Sequence, residues 1–137
     1  MIIADTSALL ALFHRPEPAH QGVRQVIEDS DDTLVVSPYV VAELDYLVAT
    51  RSGVAAELAV LAELAGGAYE LAQLSAEEIA DAARVIDRYR DQEIGLADAS
   101  LVVLARRFGT RTILTLDHRH FEVLRPLDGG RFKLLPG

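Results

Sequence analysis

Short β-branched runs alternate along this chain with longer stretches of helical period. Ile2-Ile3-Ala4 is an apolar run closed by Asp5, and Ala8 to Phe13 is a helix sequence with Thr6 and Ser7 at its cap. Pro16 and Pro18 bracket a turn. From Ala19 to Asp29 the apolar positions Val23, Val26 and Ile27 recur at helical spacing. Thr33 to Val36 is a second buried strand, and Pro38 suits the first turn of a helix reaching about Arg51. After Gly53 a further helix spans Val54 to Ala65, stopped by Gly66-Gly67, and Tyr69-Glu70-Leu71 is a third strand. Ser75 and Glu78 form a capping box for a helix running to about Arg90. Another helix spans Leu96 to Phe108, ended by Gly109, and Thr112 to Thr115 is a fourth strand. In the tail, Asp128-Gly129-Gly130 forms a turn into a last strand at Phe132 to Leu135.

Strands alternating with helices predict an α/β protein with a mainly parallel sheet covered on both faces. The 137 residues suit a single domain, 1–137, without repeat or linker. No apolar run approaches the roughly 20 residues that span a bilayer, and no basic region precedes an apolar stretch at the N-terminus. Together with the absence of cysteine, this predicts a cytoplasmic location and confines any metal to oxygen or histidine ligands.

Charge changes the picture along the chain. Residues 1–83 hold three Arg/Lys against fourteen Asp/Glu, residues 84–137 ten against seven, so the two parts carry −11 and +3. Nine of those ten cations are Arg, whose planar fork matches phosphate. Arg84, Arg88, Arg106, Arg107, Arg111 and Arg119 are candidates for contact with the phosphate backbone of a polyanion; the alternative is a solvated surface charge, or for Arg84 and Arg88 pairing with Asp81, Asp87 or Asp91.

Four carboxylates stand out by position. Ligands of open parallel sheets bind beyond the C-terminal strand ends. Asp5 directly follows the first strand and Asp117 lies just past the fourth. Glu43 sits one to two turns into the helix after the second strand, and Asp98 lies in the first turn of the helix before the fourth. The surroundings of Asp98, from Leu96 to Ala105, are nearly all apolar, so its carboxylate needs a salt bridge, a helix-cap role or a cation. Asp5 has the same choice between capping and ligation. Clustered carboxylates repel one another without a cation, and an all-oxygen donor set favours Mg²⁺ or Mn²⁺ over zinc. Such a centre suits phosphodiester hydrolysis by an activated water.

Four segments, Ile3-Ala4-Asp5-Thr6-Ser7-Ala8-Leu9, Val41-Ala42-Glu43-Leu44, Leu96-Ala97-Asp98-Ala99-Ser100-Leu101 and Thr115-Leu116-Asp117-His118-Arg119-His120-Phe121, resemble in order and separation the PIN-domain nucleases, and among them the VapC toxins of bacterial toxin–antitoxin pairs. The resemblance implies a three-layer α/β/α sandwich, Mg²⁺ or Mn²⁺ dependence, homodimerisation, and endoribonuclease activity neutralised by a cognate antitoxin with a basic or amphipathic C-terminal segment. It maps the family's acidic residues onto Asp5, Glu43, Asp98 and Asp117, with Thr6 or Ser7 and Thr115 as supporting hydroxyls. Asp5, Glu43 and Asp98 would be direct or water-bridged ligands, with Asp117 completing the site or positioning water. Val40, Val41, Leu44, Leu47, Val48, Leu58 and Leu61 are expected to be mainly core, with an antitoxin groove as the alternative. His118 and His120, two residues apart in a turn, are expected to face opposite ways rather than to act in catalysis. Two other readings compete: a phosphoacceptor signalling domain, disfavoured because the only lysine is Lys133, and a catalytically silent binding module.

Overall fold

The structure, a computed structural model, describes residues 1–137. Five strands, β1 (Ile2–Ala4), β2 (Leu34–Val36), β3 (Glu70–Leu71), β4 (Thr112–Leu114) and β5 (Lys133–Leu135), form one sheet in the order β3-β2-β1-β4-β5. Every neighbouring pair is parallel. Seven α-helices flank it: α1 (Thr6–Phe13), α2 (His20–Glu28), α3 (Pro38–Ser52), α4 (Val54–Ala65), α5 (Ala76–Arg88), α6 (Leu96–Arg107) and α7 (His118–Val123). A 3₁₀ turn at Arg90–Gln92 separates α5 from α6. The arrangement is the expected three-layer α/β/α sandwich.

The central strands are buried over their full length, which is why they read as unbroken apolar runs rather than alternating ones. One core of 30 residues joins them to Leu9, Leu44, Leu101, Leu104 and Phe121. Helix α6 is buried continuously from Ala99 to Ala105, pinned to β1 on one side and packed along α5 on another. No helix is long and apolar enough to cross a membrane.

The order in which strands are laid down reverses between β1 and β4, since β1 leads outward to β2 while its other neighbour arrives only after α6. This topological switch point opens a crevice at the C-terminal strand ends. Two buried hydroxyls tie the helices beside it. Ser100 Oγ donates to the Ala97 carbonyl at 2.6 Å, so the 2.7 Å contact with Ser37 is a bond donated by Ser37, whose oxygen in turn accepts from Tyr39 N at 3.2 Å. That chain fixes the start of α3 against the first turn of α6.

Three local expectations change. Helix α1 begins at Thr6, capped by Asp5 rather than by the hydroxyls that follow it. Helix α5 ends at Arg88, its capping box at Ser75 and Glu78 as expected. The stretch after Asp117, read as a turn, is helix α7, capped by the Asp117 carboxylate and anchored by buried Phe121, which packs edge-on against Phe132.

Candidate active site

Asp5 is the most rigidly held acid. Its Oδ1 accepts from Thr6 N at 2.8 Å, while Oδ2 accepts from the hydroxyls of Thr115 at 2.7 Å and Ser7 at 3.1 Å. Each hydroxyl has one hydrogen, so both are spent on Asp5, and the 3.3 Å approach of Ser7 to Thr115 is a contact without a hydrogen of its own. The same two oxygens then accept from the backbone that carries the next acid: Leu116 N donates to Ser7 at 2.9 Å and Asp117 N to Thr115 at 2.9 Å. Ser7 and Thr115 therefore act as one bracket between β1 and the loop after β4. Thr6 contributes its amide; its hydroxyl is buried with no partner. Burial raises the Asp5 carboxyl above its ordinary value even against these three donors, with the Asp117 charge adding to the rise.

Asp98 occupies the first turn of α6, where Gly95, not Asp98, is the cap. Its carboxyl accepts no hydrogen bond and is pushed up to about 6, first by burial, then by the charge of Asp5, with smaller contributions from Asp117 and Glu43; His120 opposes the rise. Asp5, Asp117 and Glu43 each act on the Asp98 carboxyl through their charge. Glu43 reaches it from an exposed position on α3.

His120 joins them. Helical geometry turns His118 and His120 about 200° apart, so they do face opposite ways, but this directs one of them inward. The His120 Nδ1 lies 3.0 Å from Asp117 Oδ2 and 3.6 Å from Asp98 Oδ2, while its backbone N–H donates to Asp117 Oδ1 at 3.3 Å. The ring nitrogen is buried and aligned with neither carboxylate. Its signal in the sequence is the helical offset of three residues from Asp117, which is visible only once this segment is helix α7.

The donor set is four carboxylates and one imidazole, suited to a hard divalent cation. No three of these side chains are drawn close enough to hold an ion as they stand. Burial and the neighbouring acidic charges raise the Asp98 carboxyl, and a bound cation would offset that repulsion.

Most of the candidate arginines are tethered. Arg84 and Arg106 both pair with Asp81, Arg107 with Glu78 and the Gln73 carbonyl, and Arg111 with Asp128. Arg119 is exposed on α7 and Arg88 is exposed on α5, its guanidinium over the Tyr89 ring at 5.8 Å. Of the apolar residues considered for a partner groove, Val40, Leu44 and Val48 are core. A larger groove of about 920 Å³ opens between α1–α2 and α3–α4, lined by Leu10, Phe13, Ile27, Val60 and Tyr69 among others.

Against known proteins, a profile of the PIN domain matches residues 2–125, nearly the whole site-bearing chain. The chain is 66% identical over 135 residues to Ribonuclease VapC26 of Mycobacterium tuberculosis, covering 98% of this chain and all of that one. The fold superposes on Mycobacterium tuberculosis VapC20, a sarcin-ricin loop cleaving toxin, with a TM-score of 0.76 at 21% identity, over 82% of this chain and 87% of that one. A toxin–antitoxin complex from Klebsiella pneumoniae gives 0.70 at 15% identity, over 90% and 92%. The chain belongs to the PIN-domain family, and within it to the VapC ribonuclease toxins of toxin–antitoxin systems. The phosphoacceptor reading falls with that assignment, and Lys133 indeed lies away from the acids, exposed on β5.

Proposed function

We propose that this toxin is a divalent-metal-dependent endoribonuclease that hydrolyses RNA phosphodiester bonds with an activated water. The observation that carries this is geometric: Ser7 and Thr115 bracket Asp5 with the backbone that bears Asp117, and His120 Nδ1 lies 3.0 Å from Asp117 and 3.6 Å from Asp98. Asp5, Glu43 and Asp98 hold Mg²⁺ or Mn²⁺, which when bound supplies a lowered pKa for water and charge stabilisation for the departing oxygen. The chain's own groups orient the reaction. Ser7 and Thr115 fix the Asp5 carboxylate and the backbone of Asp117 together, and His120 holds Asp117 from its backbone N–H. Asp117 positions the attacking water. Arg119, exposed on α7 next to His120, is the cation best available to a substrate phosphate there.

The cognate antitoxin would neutralise the site with a basic side chain, drawn by the −11 charge of residues 1–83. The groove between α1–α2 and α3–α4 suits its amphipathic segment, with apolar walls and mixed charges from Arg15, Arg24, Glu28 and Glu63. Homodimerisation would cover exposed Tyr46, Val54 and Leu58 on the α3–α4 hairpin. The reaction is set in the bacterial cytoplasm.

The test is Asp5→Asn. Growth inhibition and RNA cleavage should disappear with the thermal transition retained; full activity in that variant would sink the assignment. Sequencing RNA ends after a pulse of wild-type expression identifies the target, and the absence of new ends would favour the silent-module reading.

A further inference from the structure

A second concavity lies away from the carboxylates. It is a pocket of about 180 Å³ between α5, α6 and the segment after α7, lined by Arg84, Arg88, Arg106 and Arg125 with Tyr89 and with Asp81 as its one acid. Four arginines line this one pocket in a chain of net charge −8. Asp81 is shared by Arg84 and Arg106, which holds both in place yet neutralises only one charge. Arg88 and Arg125 have no carboxylate partner: Arg88 lies over the Tyr89 ring, and Arg125 donates to the Glu122 carbonyl. The pocket is also built, since Arg125 N donates to the Tyr89 hydroxyl at 3.2 Å and so fastens the post-α7 segment to the end of α5.

Its walls lead back to the reaction centre. Helix α6 carries Asp98 in its first turn and Arg106 in its last, about 12 Å apart along the axis at 1.5 Å per residue. The segment bearing Arg125 leaves α7, whose cap is Asp117. A strand of RNA passing over the acids would reach the pocket within roughly four nucleotides at a stacked rise of about 3.4 Å. We propose that this arginine pocket binds one backbone phosphate of the RNA substrate a few nucleotides from the cleaved bond, acting as an exosite that fixes how the strand crosses the carboxylates. This rests on RNA being the substrate. The volume is ample for a phosphate with its hydration. Guanidinium forks suit that anion, and the tethering of Arg84 and Arg106 by Asp81 lowers the entropy lost when they bind it.

The experiment measures binding of a twelve-nucleotide and a trinucleotide single-stranded RNA to the full chain, made inactive by Asp98→Asn, from about 50 to 200 mM salt. Arg88→Gln with Arg125→Gln keeps the side-chain stems and leaves Asp81 paired, and the corresponding Lys pair keeps the charge. For the long RNA, the Gln pair should weaken binding roughly tenfold and reduce the magnitude of the salt slope by about 0.7, the value for one phosphate on a single strand. The Lys pair should keep the slope, and the trinucleotide, too short to span both sites, should bind all forms alike. An unchanged slope with the long RNA overturns the exosite, as does an equal loss with both RNAs, which would mark a general structural effect. Loss of antitoxin binding with RNA binding intact also overturns it, in favour of a protein contact. Failure of the parent form to bind either RNA would instead refute the substrate reading.

Discussion

Replacing Asp98 by Asn should make the metal-free protein more stable while abolishing cleavage. The Asp98 carboxyl titrates at about 6 in the fold against 3.8 when free, and each tenfold change in proton affinity is worth about 1.4 kcal/mol, so its ionised form costs the fold up to about 3 kcal/mol. The side chain keeps 21% of its surface in water, and screening reduces this to about 1–2 kcal/mol. The sign follows from the raised value: the folded state binds the extra proton, so stability is highest below 3.8 and is lost as pH climbs through about 6. Asn removes the charge, its desolvation cost and its repulsion of Asp5 at once. In EDTA at about pH 8 the variant should therefore melt roughly 3–10 °C above wild type, from a shift near 3–5 °C per kcal/mol for a chain of this size. At about pH 4 the two should coincide. Adding Mg²⁺ should raise the wild-type transition and leave the variant's nearly unmoved. A variant that melts lower than wild type at both pH values would refute the electrostatic reasoning, and would mean Asp98 is a packing element.

Thr115→Val keeps shape but removes the donor to Asp5 and the acceptor for Asp117 N. It should cost about 1–3 kcal/mol in denaturant unfolding and lower the cleavage rate, whereas a silent substitution would show that the bracket is dispensable. Metal must displace the proton of Asp98, so metal affinity measured by calorimetry should fall as pH drops below about 6, and a flat profile from pH 5 to 8 would contradict it.

The sheet could be read from the chain because buried parallel strands show as bare apolar runs, Ile2-Ile3-Ala4 and Leu34-Val35-Val36, framed by helix signals that physics makes local: Pro38 at a first turn, Ser75 and Glu78 as a box. Helix α7 could not, because its six residues bury only Phe121 and its stability comes from Phe132 and the Asp117 cap, which sequence periodicity does not record. His120, carried on that helix, is hidden with it. For the carboxylates, position after strands was informative for Asp5 and Asp117, and apolar surroundings for Asp98. Glu43, exposed on an ordinary helix, had nothing local to mark it. Arginine roles were the least readable, since Asp81, Glu78 and Asp128 capture their partners through tertiary contacts.

The hydroxyl bond between Ser37 and Ser100 gives the two helices bearing Glu43 and Asp98 a common origin of coordinates. Because it runs one way inside a dry core, a change at either end strands a hydrogen or an acceptor at the other. Two positions separated by 63 residues thus act as one structural unit, and the spacing of the two candidate acids is set where neither of them stands.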